Sequence, residues 1–310
     1  MSDAIGDAGA LSAEPSLAVP ARAALLRAYM SAGAATFFWS SNVVAVKFIL
    51  RDIPALPAAV LRVSCAALVL AAIRWIQRRP FTARAEDRRS LLRLGAIGIG
   101  GSFVLFTSAL AHTSVAHTVF IGALIPMAVL LLARLQGMER ITLWKLAGLT
   151  VCLLGVVLLA MDKANGSAAA LTGDFLAFAG MWCFAFFMVT SKRLSPHYDS
   201  FTLVTYAFLV AAMFLLPFLF WVLGVVPLGQ VHWTAWAGLA YSATFGSAGA
   251  YLTFYYALRS LAASQVAAFQ YVQPVLATVF GVLFLAEGWG SGFVLGAALI
   301  LAGILLIERR

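Results

Sequence analysis

The chain has 310 residues, of which 63% are hydrophobic and 11% charged, with mean hydropathy +0.96 and net charge +9. That balance excludes an ordinary soluble domain, and the basic excess requires no nucleic-acid partner, because basic residues collect between membrane spans. Cys65, Cys152 and Cys183 all fall in apolar stretches without metal-ligand spacing and read as packing residues.

Residues 1–28 are polar and Ala-rich, with Pro15 and Pro20. They lack the charged start and apolar middle of a secretory signal and read as a disordered cytoplasmic tail. Ten spans are then predicted over 29–50, 56–76, 91–111, 115–135, 143–161, 171–191, 201–223, 233–258, 262–285 and 290–307. The expected fold is therefore an all-α polytopic membrane protein with ten transmembrane helices. Arg51 and Lys163 fall on one side of these spans, Lys47 and Arg62 lie within them, and every other Lys and Arg lies on the side of the amino terminus. Such a bias places both termini in the cytoplasm.

The stretch 264–303 repeats an earlier one at a fixed offset of 148 positions. Pro126 answers Pro274, Glu139 answers Glu287, Gly148 answers Gly296 and Gly155 answers Gly303. A Pro, a Glu and two Gly in one ungapped register mark an internal duplication. The copies divide the chain into a first repeat, 29–165, and a second, 166–310, each with five predicted spans. An odd number of spans inverts the second copy relative to the first. Inverted repeats suit alternating access, because two equivalent halves can exchange conformations around a site at their interface.

Sequence quotations point the same way. WSSNVVAVK (39–47), ALAHTSVAHTVFIGALIPMAVLLLARLQGMERITLWKLAG (109–148) and GDFLAFAGMWCFAFFMVTSKRL (173–194) resemble the EamA-type drug/metabolite transporters. So does the stretch 264–303 with its proline, LAE turn and glycines. The layout is similar to that of the YddG-like amino-acid exporters within that superfamily. The resemblance implies a 5+5 carrier in a bacterial inner membrane, moving small metabolites, often outward, through a central cavity. The turn of the second copy departs from the family's usual GE, having Ala286-Glu287, and the first has Gly137-Met138-Glu139.

Candidate contacts follow from helical spacing. Trp39, Asn42, Val43 and Val46 share one face of the first span. Asn42 reads as a substrate contact or as an interhelix hydrogen bond, since an amide in an apolar span needs a partner. In the ninth span Gln265, Phe269 and Gln273 share an arc, with Gln270 at its edge, beside a proline that frees a backbone carbonyl. Tyr251 and Tyr255 on the eighth span, Phe103, Phe106 and Leu110 on the third, and Trp182 and Phe186 on the sixth are aromatic or apolar wall candidates. Pro126 and Pro274 are candidate hinges. Lys47 and Arg62 either reach the outer headgroups, with Asp52 between them, or bias an outer vestibule toward carboxylates.

Every Asp and Glu lies in the tail, a loop or a span end, so no buried carboxylate offers itself as a proton relay. No GxxxxGK[ST] loop is present. His112 and His117 lack the further ligands of a metal site, and Gly288–Gly292 read as a turn rather than a dinucleotide loop. No cofactor and no enzyme activity are expected. The reading is a secondary transporter of amino acids or similar metabolites, with a multidrug or nucleoside exporter, or a channel-like or structural protein, as alternatives. The spaced glycines of 292–303 pack within the chain or against a second copy.

Overall fold

The computed structural model describes residues 22–78, 80, 82–112, 121–122, 124–163, 171–285 and 293–307. Among them the secondary structure is helical throughout, with no strand. In a bilayer a helix satisfies its own backbone, which leaves apolar side chains free to face lipid or one another. Among the described residues five helical stretches are long and apolar enough to cross a membrane: Arg22–Ile49, Ala55–Ile76, Ala85–Ala109, Phe175–Leu194 and Ser200–Val225. The molecule is a polytopic helical membrane protein.

In chain order the helices are α1 (Arg22–Ile49), α2 (Ala55–Ile76), α3 (Arg88–Arg93, Leu94–Gly101 and Ser102–His112), α4 (Ile125–Leu135) and α5 (Leu143–Lys163). The second half supplies α6 (Leu171–Leu194), α7 (Ser200–Val225), α8 (Trp233–Tyr241, Ser242–Gly249 and Ala250–Ser260), α9 (Ala263–Ala268, Phe269–Tyr271 and Val272–Leu285) and α10 (Phe293–Ile307). Helix α1 starts at Arg22 rather than Tyr29, so the end of the expected tail is helical. The turn holding His117, and Glu287 with Gly288–Gly292, lie outside the described residues.

Helices α3 and α8 each contain a π-helical segment, Leu94–Gly101 and Ser242–Gly249. The two segments begin and end in the same 148-residue register as the sequence duplication. The packing repeats with them. Helix α1 lies along Ala250–Ser260 as α6 lies along Ser102–His112, and α2 lies on the second π segment as α7 lies on the first. Glycines permit this approach. A Cβ on Gly95 would come within 2.5 Å of Val210 Cβ and 2.7 Å of the Ala207 carbonyl on α7.

The equivalent helices α5 and α10 pack on each other. Gly303 sits against Cys152 and Gly148, leaving no room for a Cβ on either glycine. This is the close small-residue packing used between membrane helices, and it places Gly303 within the chain. Cys152 is fully buried there, as a packing residue should be.

Candidate functional site

Rings from both repeats converge on Tyr251, which follows the second π segment and is 4% exposed. Its ring centroid lies 5.4 Å from Trp39 on α1, 6.0 Å from Phe103 on α3, 6.2 Å from Phe184 and 5.2 Å from Phe187 on α6, and 5.1 Å from Phe208 on α7. Phe254, one turn along α8, lies 4.9 Å from Trp39. Most rings meet Tyr251 edge to face, the arrangement their quadrupoles favour. Phe103 and Tyr251 are themselves partners in the 148-residue register.

Arg62 on α2 joins this cluster instead of reaching a headgroup. Its residue is 9% exposed, its Nε donates to Ser242 Oγ at 2.6 Å, and its guanidinium carbon lies 5.1 Å from the centre of the Phe103 ring. Lys47 stays half-buried in the last turn of α1. Asp52 Oδ2 accepts the backbone N–H of His232 at 2.9 Å.

The amides divide. Asn42 is 6% exposed and packs against Gly246, yet its Oδ1 is buried without a hydrogen-bond partner. Gln265 accepts the Ala262 N–H at 3.0 Å and donates to the Tyr29 hydroxyl at 3.4 Å, so it caps the start of α9. Phe269 lies 6.2 Å from Tyr29. Gln270 is buried with Nε2 unpartnered. The Gln273 carbonyl accepts from Ser40 on α1 at 3.4 Å. Tyr255 is fully buried, its hydroxyl has no partner, and it makes none of the ring contacts around Tyr251. Trp182 pairs with the exposed Phe178 at 6.3 Å rather than with the cluster. Phe106 packs on Gly180 of α6.

Pro126 stands in the first turn of α4 and Pro274 just inside Val272–Leu285, after a 3₁₀ turn. Proline is tolerated at a helix start because its missing N–H would have no intrahelical acceptor there. Both therefore mark helix breaks rather than mid-helix kinks.

A second cross-repeat contact lies where α4 turns into α5. Glu139 accepts from Ser264 N at 3.2 Å, Ser264 Oγ at 2.5 Å and Lys145 Nζ at 2.7 Å. It caps a helix start, as its turn position predicts, but the helix is α9 of the other repeat. Burial alone would raise its pKa; the hydrogen bonds from Lys145 and Ser264 outweigh that and hold the carboxyl below the usual carboxylate range. Beside it, Lys192 Nζ donates to the carbonyls of Leu258 at 2.5 Å and Leu261 at 2.7 Å, a cation at the end of α8.

Spacing alone did not single out Phe184, Phe187, Phe208 or Phe254. The duplication register would have found two of them, since it carries Trp39 onto Phe187 and Phe106 onto Phe254.

A helical membrane protein of two like halves, with an aromatic cluster drawn from both and buried arginines bridging them, has the architecture of a membrane transporter. The chain belongs to the EamA-like transporter family, whose pattern matches residues 26–161 and again 171–309. It is 26% identical over 273 residues to an uncharacterized transporter of Archaeoglobus fulgidus, covering 88% of this chain and 95% of that protein. It is 25% identical over 272 residues to the uncharacterized transporter YoaV of Bacillus subtilis, covering 87% and 93%. A probable terminal-alkyne amino-acid exporter of Streptantibioticus cattleyicolor is 29% identical over 256 residues, covering 81% and 82%. A solved protein structure shares the fold with a TM-score of 0.74 at 19% identity, over 92% of this chain and 96% of that one. The chain is a multi-pass membrane transporter, and its family and relatives are named for transport rather than catalysis.

Proposed function

We propose that the protein exports amino acids, aromatic or other neutral ones, by alternating access of two inverted five-helix repeats across a bacterial inner membrane. Ten spans then cross the bilayer with both termini in the cytoplasm, as the basic residues favour. The observation that carries the reading is the ring cluster around Tyr251, built from both repeats (Trp39 and Phe103 from one, Phe184, Phe187, Phe208 and Phe254 from the other). An apolar wall at a moving interface suits an amphipathic cargo, and rocking the halves would expose it alternately to each side. On this topology Glu139 and Ser264 meet at the cytoplasmic end, and their bonds must part when that end opens. The similarity to an amino-acid exporter supports the choice of cargo.

The test is counterflow into liposomes holding the purified full-length protein, with L-phenylalanine, L-threonine, uridine and ethidium as separate cargoes. Saturable exchange of the amino acids supports the reading. Exchange of uridine or ethidium alone makes the protein a nucleoside or drug exporter, and unsaturable flux makes it a channel.

A further inference from the structure

Among the described residues two arginines are buried, Arg74 at 2% and Arg62 at 9% exposure, and they are held in opposite ways. Arg74 is gripped at its tip: Nη1 donates to Thr202 Oγ1 at 3.3 Å and Nη2 to the Pro80 carbonyl. Arg62 is gripped at its base, through Nε alone, and neither terminal nitrogen donates to a described residue. No Asp or Glu among the described residues lies within ion-pair distance of it. A guanidinium in an apolar span is costly unless an anion or several hydrogen bonds offset its lost hydration.

Neither the fold nor the duplication demands a cation there. The register carries Arg62 onto Val210 and Ser242 onto Leu94, so the same helix contact in the other half is made by hydrocarbon. Ser242 and the Phe103 face fix the position of the guanidinium while leaving its outer fork unused. That fork has the planar geometry that pairs with a carboxylate through two parallel hydrogen bonds. Tyr251 packs on Phe103, the ring beneath the guanidinium, and Trp39 and Phe184 pack on Tyr251 in turn, so a side chain attached to that carboxylate would meet hydrocarbon nearby.

We propose that Arg62 is the receptor for the carboxylate of the transported molecule, held ready by Ser242 and Phe103. The proposal rests on the amino-acid reading above and assigns the polar half of the site. Lys47 has no part in it.

Thermal stabilisation of the purified full-length protein in detergent tests it, with L-phenylalanine and L-phenylalaninamide as probes. The amide keeps the ring and the amine and lacks the carboxylate. The wild type should need about tenfold less acid than amide for half-maximal stabilisation, and Arg62→Gln should abolish that preference. Arg62→Lys, which keeps the charge and loses the fork, should retain only part of it, and decides the matter if Arg62→Gln does not fold. Equal response of the wild type to both probes overturns the assignment, as does a preference that survives in Arg62→Gln or is undiminished in Arg62→Lys. If neither probe stabilises the wild type and it exchanges no amino acid in liposomes, the proposed function falls and the receptor with it.

Discussion

The two π segments are the same backbone used for different ends. At Leu94–Gly101 the neighbouring helix arrives with Val210 against Gly95, and the contact is apolar. At Ser242–Gly249 the neighbouring helix arrives with Arg62, and the contact is a hydrogen bond to Ser242. Since the geometry is common to both, it belongs to the packing of the repeat. The side chains that differ are where one half has acquired a chemical task.

Exchanging the two environments should break this contrast most visibly. Val210→Arg would place a cation against Gly95 in the α7–α3 contact, where the register puts Leu94 in place of Ser242. A loss of about 3 kcal/mol or more is expected, seen as lost folded yield in detergent. Next come the glycines. Gly95→Ala should cost about 1–3 kcal/mol, because its Cβ meets the Ala207 carbonyl, which cannot move without α7. Gly246→Ala should cost less, because its Cβ meets the Asn42 side chain, whose oxygen has no hydrogen bond to lose. Melting temperatures of the two variants rank them, and the reverse order would show that the second segment is the more tightly packed.

Glu139→Gln gives a smaller change away from both segments, about 1 kcal/mol from the lost charged cap. Because the folded pKa of Glu139 is depressed, its contribution is complete above the usual carboxylate range and disappears as pH falls through the lowered value. The difference in melting temperature between variant and wild type should thus be constant from neutral pH down to mildly acidic conditions and vanish in strong acid. The smallest effect on stability should come from Arg62→Val, which copies the other half. Melting temperature should hold or rise, since an apolar residue replaces a buried cation lacking an ion-pair partner. A large fall would make Arg62 a structural residue.

The helical membrane architecture and the duplication were legible because each depends on local pattern. Long apolar runs identify spans, and rigid spacing of Pro, Glu and Gly survives divergence. The facing of α6 was not legible. A helix apolar all round carries no stripe to orient it, so spacing offers Trp182 and Phe186 without distinguishing them from Phe184 and Phe187. Asn42 and Gln265 were chosen because amides in apolar sequence need partners; one finds none for its oxygen and the other caps its own helix. For Arg62 the sequence leaves two readings open, a headgroup contact or a vestibule cation. Proximity to a helix start fits a side chain reaching the surface, and only the approach of α8 shows that it turns inward.

The seam between α5 and α10 has a consequence for the protein's history. These helices occupy equivalent positions, and Gly148 and Gly303 touch across them. Equivalent surfaces that bind each other form an isologous contact, the kind made by a twofold dimer. If the halves are inverted, a half-length ancestor inserted both ways up would have paired through this same surface. The shared register of the π segments makes them features of that ancestor, older than the gene fusion. Arg62, whose register partner is Val210, is an asymmetry that two identical half-length chains could not encode.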